Sequence, residues 1–231
     1  MKILYVIPAR GGSKGIPNKN IKLLDGKSLI YYSIDIARQL TTDDNICVST
    51  DDDKIIEVVE NYGLRVPFKR PYDLATDTST TNDVLLHAVH FYETRKIFYD
   101  VIVLLQPTSP LRSTTQVKEA LALYTPDLDM VVSVKKSNAP SVLCAENEDG
   151  FLEFCFNKSV TRRQDLPSFY EYNGAIYIIN IDRLKEKGLS GFTKNLKFLM
   201  DDFSSIDIDI PLDWIIAKSI LKYHKSKNIY V

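Results

Sequence analysis

Short apolar runs alternate along the chain with longer stretches in which apolar residues return every three or four positions. The runs ILYVI (3–7), NICVST (45–50), LRVPF (64–68), DVIVLLQ (100–106) and DMVVSVK (129–135) are rich in β-branched residues and predict strands. The stretches 28–40, 53–63, 81–95 and 114–124 carry helical spacing and predict amphipathic helices. Near-continuous apolar strands separated by helices predict a mostly parallel sheet covered on both faces, a three-layer α/β architecture. The alternation breaks between 140 and 172, where ENEDG predicts a turn, FLEFC a short strand and TRRQ a basic patch, together an excursion from the main sheet. Sheet character returns in NGAIYIIN (173–180) and LKFLM (196–200). A last helix is predicted at about 211–224, opening on Pro211, whose missing N–H costs nothing in a first turn.

Composition narrows the class. The 231 residues suffice for one α/β domain over 1–231 with a full core. Hydrophobic residues at 45% and charged residues at 26% exclude a disordered or membrane-embedded chain. With 29 basic and 30 acidic residues the net charge is -1, so no global field favours nucleic acid or a membrane surface, and any anion site must be local. The three cysteines form no C-x-x-C pair, which suits a reducing compartment. The opening apolar run is too short for a signal-peptide core, and no run approaches the roughly 18 apolar residues of a membrane helix. The expected location is the cytoplasm.

Parallel sheets bind ligands at the carboxyl ends of their strands. There the sequence sets ARGGSKG, STDDD, KRPYDLATDT and QPTSPLR. In the first, Gly11, Gly12 and Gly15 free the backbone so that amides can converge on an anion, and Arg10, Lys14 and Lys19 add positive charge. The spacing is neither a Walker A loop nor Gly-x-Gly-x-x-Gly, and a solvated βα loop is the alternative. Asp207 and Asp209, two apart, face one side if the segment is extended and then suit a magnesium ion; acidic residues on a strand edge are the alternative. Arg70 reads as a phosphate or base contact or as a surface residue. Two prolines brace a turn expected to present Gln106 and Arg112 to the cleft, against a purely structural loop. His87 and His90 share a helix face without a third ligand nearby and read as packing residues.

The motifs IPARGGSKGIPNKN, STDDD, RPYDLATDTSTT, LLQPTSPLR, NGAIYI and SIDIDIPLD, in this order over nearly the whole chain, together resemble the CMP-sialic acid synthetases (acylneuraminate cytidylyltransferases). The resemblance implies a nucleotide-diphospho-sugar-transferase (Rossmann-like) fold and the coupling of CMP from CTP, with magnesium, to a nine-carbon α-keto sugar acid. It implies a CTP-binding set of Ala9, Arg10, Gly11, Ser13, Lys14, Lys19, Asn20, Arg70, Asp77 and Thr81, with Arg10, Lys14 and Asp209 catalytic. Gln106, Arg163 and Tyr177 would face the sugar, and Asp207 and Asp209 would hold the metal. The segment at about 138–172 would be a dimerisation excursion whose Arg163 reaches the partner's site in a homodimer. In SNAPSVLC, Ser141 and Val142 follow Pro140, where some sialic-acid-specific members carry a lysine shortly after the proline. Legionaminic, pseudaminic and deaminated sialic acids therefore stand as alternative sugars. The rival classes are a GT-A-type glycosyltransferase with an Asp-x-Asp metal site and a protein that binds CTP without turning it over.

Overall fold

The computed structural model describes residues 1–137, 139, 143–155 and 167–227. In chain order the elements are β1 (Ile3–Pro8), β2 (Leu23–Leu24), β3 (Lys27–Ser28), α1 (Leu29–Arg38), β4 (Ile46–Ser49) and α2 (Asp53–Asn61). Then come α3 (Thr81–Glu93), β5 (Val101–Leu104), α4 (Thr114–Ala122), β6 (Met130–Ser137), β7 (Cys144–Glu146) and β8 (Leu152–Phe154). The chain finishes with β9 (Phe169–Asn180), α5 (Ile181–Lys187), β10 (Asn195–Leu199) and α6 (Pro211–Ser226). Among the described residues no helix is long and apolar enough to cross a membrane.

Six strands form the main sheet in the order β10-β6-β9-β5-β1-β4. β1 runs parallel to β4 and β5, and β10 runs parallel to β6. β9 lies antiparallel between β5 and β6 and closes the two parallel halves into one sheet. Alternation along each strand feeds two cores. Tyr5, Ile7, Val101 and Val103 face one side, where α1, α2 and α4 bring Ile34, Val59 and Val117. Leu4, Val6, Ile102 and Leu104 face the other, where α3 and α5 bring Leu85, Ala88 and Leu184. These are the three layers expected from a sheet whose strands are apolar on both faces. A third cluster packs α6, through Ala217 and Leu221, against Ile16, Leu24, Leu29, Leu111 and Ile208. It ties the turn after β1 to the segment before α6.

The structure corrects one reading of the chain and adds one helix to it. The run 64–68 is not a strand: the segment joins the sheet only through a single parallel bridge between Thr50 and Lys69. Pro67 supplies no N–H for a ladder there. The sequence pattern also did not identify α5, whose seven residues, IDRLKEK, carry only two apolar positions. Within the excursion the described part contains β7 and β8, an antiparallel pair separate from the main sheet.

Candidate active site

The turn after β1 is held by its neighbours rather than left open. Ala9 is 1% exposed and its N–H donates to the Ser49 carbonyl (2.9 Å), so its side chain belongs to the core and not to the cleft. The Gly11 N–H donates to Asp51 Oδ1 (3.1 Å), and a Cβ on Gly11 would stand 2.4 Å from Asp52 Oδ2. Gly11 is therefore required by the close approach of the STDDD loop. The Ser13 N–H donates to the Gly11 carbonyl (2.8 Å). Two amides expected to converge on an anion thus have internal partners, and the positive character of the turn rests on its side chains. Asn20, almost fully buried, donates from Nδ2 to the Arg10 carbonyl (3.0 Å) and clamps the end of the turn to its beginning.

The turn and the late aspartate segment touch. A Cβ on Gly15 would lie 2.1 Å from the Asp209 carbonyl oxygen. Lys19, its side chain only 12% exposed, donates from Nζ to the Ile208 carbonyl (2.6 Å) and to Asp209 Oδ1 (3.0 Å). Between them opens a cavity of about 430 Å³ lined by Arg10, Ser13, Lys14, Lys19, Asn20, Thr81, Gln106 and Asp209, among others. A second hollow of about 300 Å³ shares Pro8, Arg10 and Thr81 with the first and adds Arg70, Leu74, Asp77 and Thr80. Thr81 opens α3, whose positive end faces both spaces.

Arg70 is buried. Its Nε donates to Ser49 Oγ (3.1 Å), its Nη2 to the Ser49 carbonyl and its Nη1 to the Leu74 carbonyl (3.4 Å). It walls the second hollow from behind, and burial lowers its pKa. Asp77 is not placed as a simple ligand contact. Its carboxylate pairs with Lys14 Nζ (2.7 Å) and Arg10 Nη1 (3.0 Å), and those hydrogen bonds hold its carboxyl below the usual carboxylate range. Asp77 thus occupies the two cations most exposed to an incoming anion.

Asp207 and Asp209 flank Ile208, whose N–H donates to the Thr108 carbonyl (2.8 Å). The stretch belongs to no strand of the sheet. Asp209 lines the cavity and Asp207 does not; Asp207 takes a hydrogen bond from the side chain of Thr108, which does line it, and the Asp207 Oδ1 is buried without a hydrogen-bond partner. Burial, with the negative charge of Asp209, raises the Asp207 pKa. A buried, unsatisfied carboxylate oxygen beside a second carboxylate is a cation's donor set, because magnesium takes one or two carboxylates and completes its sphere with substrate phosphates. Among the described residues no three acidic, histidine or cysteine side chains gather into a closed metal site. The two aspartates therefore fit a metal carried in with a polyphosphate.

Gln106 reaches the cavity, but Arg112 does not: it is 0% exposed and lies under the turn. Tyr177 lies on β9 next to the site rather than in its lining; burial and the Asp207 charge push its pKa up to about 12. Arg163 falls outside the described residues, as do Pro140, Ser141 and Val142.

Three residues important to this geometry escaped the sequence reading: Thr108, which binds the aspartate segment, Asn173 and Gly174. Asn173 is buried, accepting from Ser133 Oγ (2.6 Å) and donating to Ser205 Oγ (2.9 Å). Gly174 has φ +73° and sits where a Cβ would be 3.2 Å from both Asp207 Oδ2 and Ser109 Oγ. The Asn-Gly pair was the available signal, since it marks positive φ inside a strand-like run. Gly174→Ala is expected to destabilise the fold by about 1–3 kcal/mol, read by denaturant unfolding, from backbone strain at that φ and crowding of Asp207.

Residues 4–226 match the model of a family described as cytidylyltransferase. The chain is 35% identical over 97% of its length, and 98% of the relative's, to the CMP-N,N'-diacetyllegionaminic acid synthase of Legionella pneumophila. It is 36% identical over 99% of its length to the N-acylneuraminate cytidylyltransferase of Escherichia coli, of which it spans about half, 54%. Among solved structures, a CMP:2-keto-3-deoxy-manno-octonic acid synthetase complexed with CTP superposes with a TM-score of 0.71 over 97% of this chain and 100% of the other. At 19% identity that likeness speaks to the fold alone. The match along nearly the whole chain, together with a single cleft between the basic turn and the aspartate segment, shows that this chain belongs to the cytidylyltransferase family.

Proposed function

We propose that the chain transfers CMP from CTP to the anomeric hydroxyl of a nine-carbon α-keto sugar acid, N-acylneuraminate or a close relative such as legionaminate, and releases pyrophosphate. The observation that carries this reading is the contact of Gly15 and Lys19 with residues 208–209, which puts cations and carboxylates around one space. The smaller hollow, backed by Arg70, suits the base, and the larger suits the triphosphate and the sugar. The sugar class rests on the relatives described above.

In this reading the hydroxyl oxygen attacks the α-phosphorus in line with the departing pyrophosphate. Arg10 and Lys14 balance the charge that grows on the phosphoryl oxygens and the leaving group, the kind of interaction that usually contributes most to catalysis. Lys19 braces Asp209 and the turn together. Asp207 and Asp209 would hold magnesium, which supplies charge neutralisation at the phosphates. Gln106 orients the sugar.

Mixing the protein with CTP, Mg²⁺ and a panel of N-acetylneuraminic, legionaminic, pseudaminic and deaminated sialic acids, and following pyrophosphate, tests the reading. Release that depends on one or more of these acids supports it and names the sugar. Release no faster with any acid than without one refutes it, and turnover of a nucleotide sugar instead would favour the glycosyltransferase reading.

The Asp77 pair bears on nucleotide affinity. Asp77→Asn is expected to tighten CTP binding in calorimetry by roughly two- to fivefold, since Arg10 and Lys14 lose an exposed competing carboxylate. Weaker binding would instead make Asp77 a nucleotide contact.

The proposed partner is a second copy of the chain. Leu143, Phe151, Leu152 and Phe154 stand exposed on and beside the β7–β8 pair, an apolar surface that dimerisation would cover. A monomer in analytical ultracentrifugation across the micromolar range would contradict this.

A further inference from the structure

Arg112 combines full burial with an unusual set of partners. Its Nη1 donates to the carbonyls of Gln106 (2.8 Å) and Ser109 (2.6 Å), the two ends of the turn after β5. Its Nη2 donates to Ser33 Oγ on α1, and that hydroxyl donates in turn to the Gln106 carbonyl (3.3 Å). Nε is buried without a partner. Among the described residues no carboxylate forms an ion pair with the guanidinium; Asp207 acts on it as an opposite charge.

A buried cation held mainly by neutral oxygens is an expensive way to fill space, and an apolar side chain would do so at less cost. What the guanidinium does that an apolar side chain cannot is bind two carbonyls at fixed spacing from one planar fork. Between those carbonyls lie Pro107 and Thr108. Gln106 and Thr108 face the cavity, and Thr108 also accepts the Ile208 N–H and hydrogen-bonds Asp207. Ser109 Oγ continues the chain of contacts to the Asn173 carbonyl on β9 (3.3 Å).

We infer that Arg112 is a positioning residue that sets, from beneath the cleft, the relative placement of the sugar-facing Gln106 and the metal-facing Asp207–Asp209 segment. The inference rests on the reaction proposed above for the roles of Gln106 and the aspartates. It adds that one buried guanidinium couples them, while the basic turn, which touches residues 208–209 through Gly15 and Lys19, is also held through Asn20 and Asp51, contacts in which Arg112 takes no part.

The contacts of the turn that Arg112 does not share provide the test. Arg112→Lys keeps the charge but cannot span both carbonyls and Ser33, and Ser33→Ala removes one contact of the fork without altering the cleft. In Arg112→Lys the Mg²⁺ concentration for half-maximal CTP binding is expected to rise about tenfold, as on loss of a group that orients metal ligands. The KM for the sugar should rise with it, and Ser33→Ala should shift both in the same direction by less. CTP binding measured by calorimetry in EDTA should stay within about twofold of wild type, because Arg10 and Lys14 pair with Asp77 and not with the segment that Arg112 holds. The inference is overturned if the folded variants keep the wild-type Mg²⁺ dependence, or if CTP binding in EDTA weakens as much as binding in Mg²⁺. The second result would mark general loosening of the fold. Because the Mg²⁺ dependence is read from CTP binding alone, it stands even if no sugar in the panel is turned over.

Discussion

Lys14→Ala is expected to cut pyrophosphate release by about two orders of magnitude while leaving thermal stability unchanged, the loss typical of one preorganised charge at a developing anion. The lysine is well suited to such a role because the fold does not use it. Its side chain is 74% exposed and its ionic partner is Asp77, itself 56% exposed, and pairs of that kind contribute little to stability. It nevertheless lines the cavity within the turn that Asn20, Asp51 and the Asp209 backbone hold rigid. A mobile side chain on a fixed base can meet a phosphate without rebuilding the site. Release at the wild-type rate would remove Lys14 from the chemistry.

Asp207→Ala should raise the magnesium requirement by more than about tenfold and lower turnover, yet leave stability unchanged or increase it. The second half of this expectation separates a functional carboxylate from a structural one. Asp207 is partly buried, its Oδ1 has no hydrogen-bond partner, and burial raises its pKa. With a native pKa above the unfolded value, the native state binds this proton more readily than the unfolded chain. Its contribution to stability is therefore gained as pH falls through the native pKa and is unfavourable at neutral pH, where the group must ionise. Deleting it removes that cost, and bound magnesium offsets the same cost in the working protein. Protons should also compete with the metal from a pH above the ordinary aspartate range, so the magnesium requirement should climb as the medium is acidified toward it. A variant with normal metal dependence and a large loss of stability would make Asp207 a structural residue.

Much of this architecture follows from periodicity. Apolar runs as continuous as VIVL in β5 and ICVS in β4 have to be buried on both faces, and the helical stretches between them supply the covers. Strand direction does not follow from such a pattern: β9 reads as sheet from its apolar content, but its antiparallel path between β5 and β6 is set by pairing partners distant in sequence. Arg10, Ser13, Lys14, Lys19, Asn20, Thr81, Gln106 and Asp209 were all singled out in the sequence, and the fold brings them to one cavity. What each side chain contacts was harder to read. Two prolines bracing the loop suggested that Arg112 reaches the cleft, whereas the carbonyls of that tight turn need a donor and draw it inward. Glycines in the basic turn suggested free amides, but the Gly11 amide is taken by Asp51 from the loop after β4, a neighbour only because β1 and β4 pair.

In the proposed reaction the basic turn and the aspartate segment grip one magnesium-bound triphosphate. CTP affinity measured by calorimetry in Mg²⁺ and in EDTA, for wild type, Lys14→Ala and Asp207→Ala, tests it most directly. The account predicts that Mg²⁺ tightens wild-type binding, that Lys14→Ala weakens binding under both conditions, and that Asp207→Ala loses the gain from Mg²⁺ while keeping wild-type affinity in EDTA. An equal gain from Mg²⁺ in wild type and Asp207→Ala would contradict it.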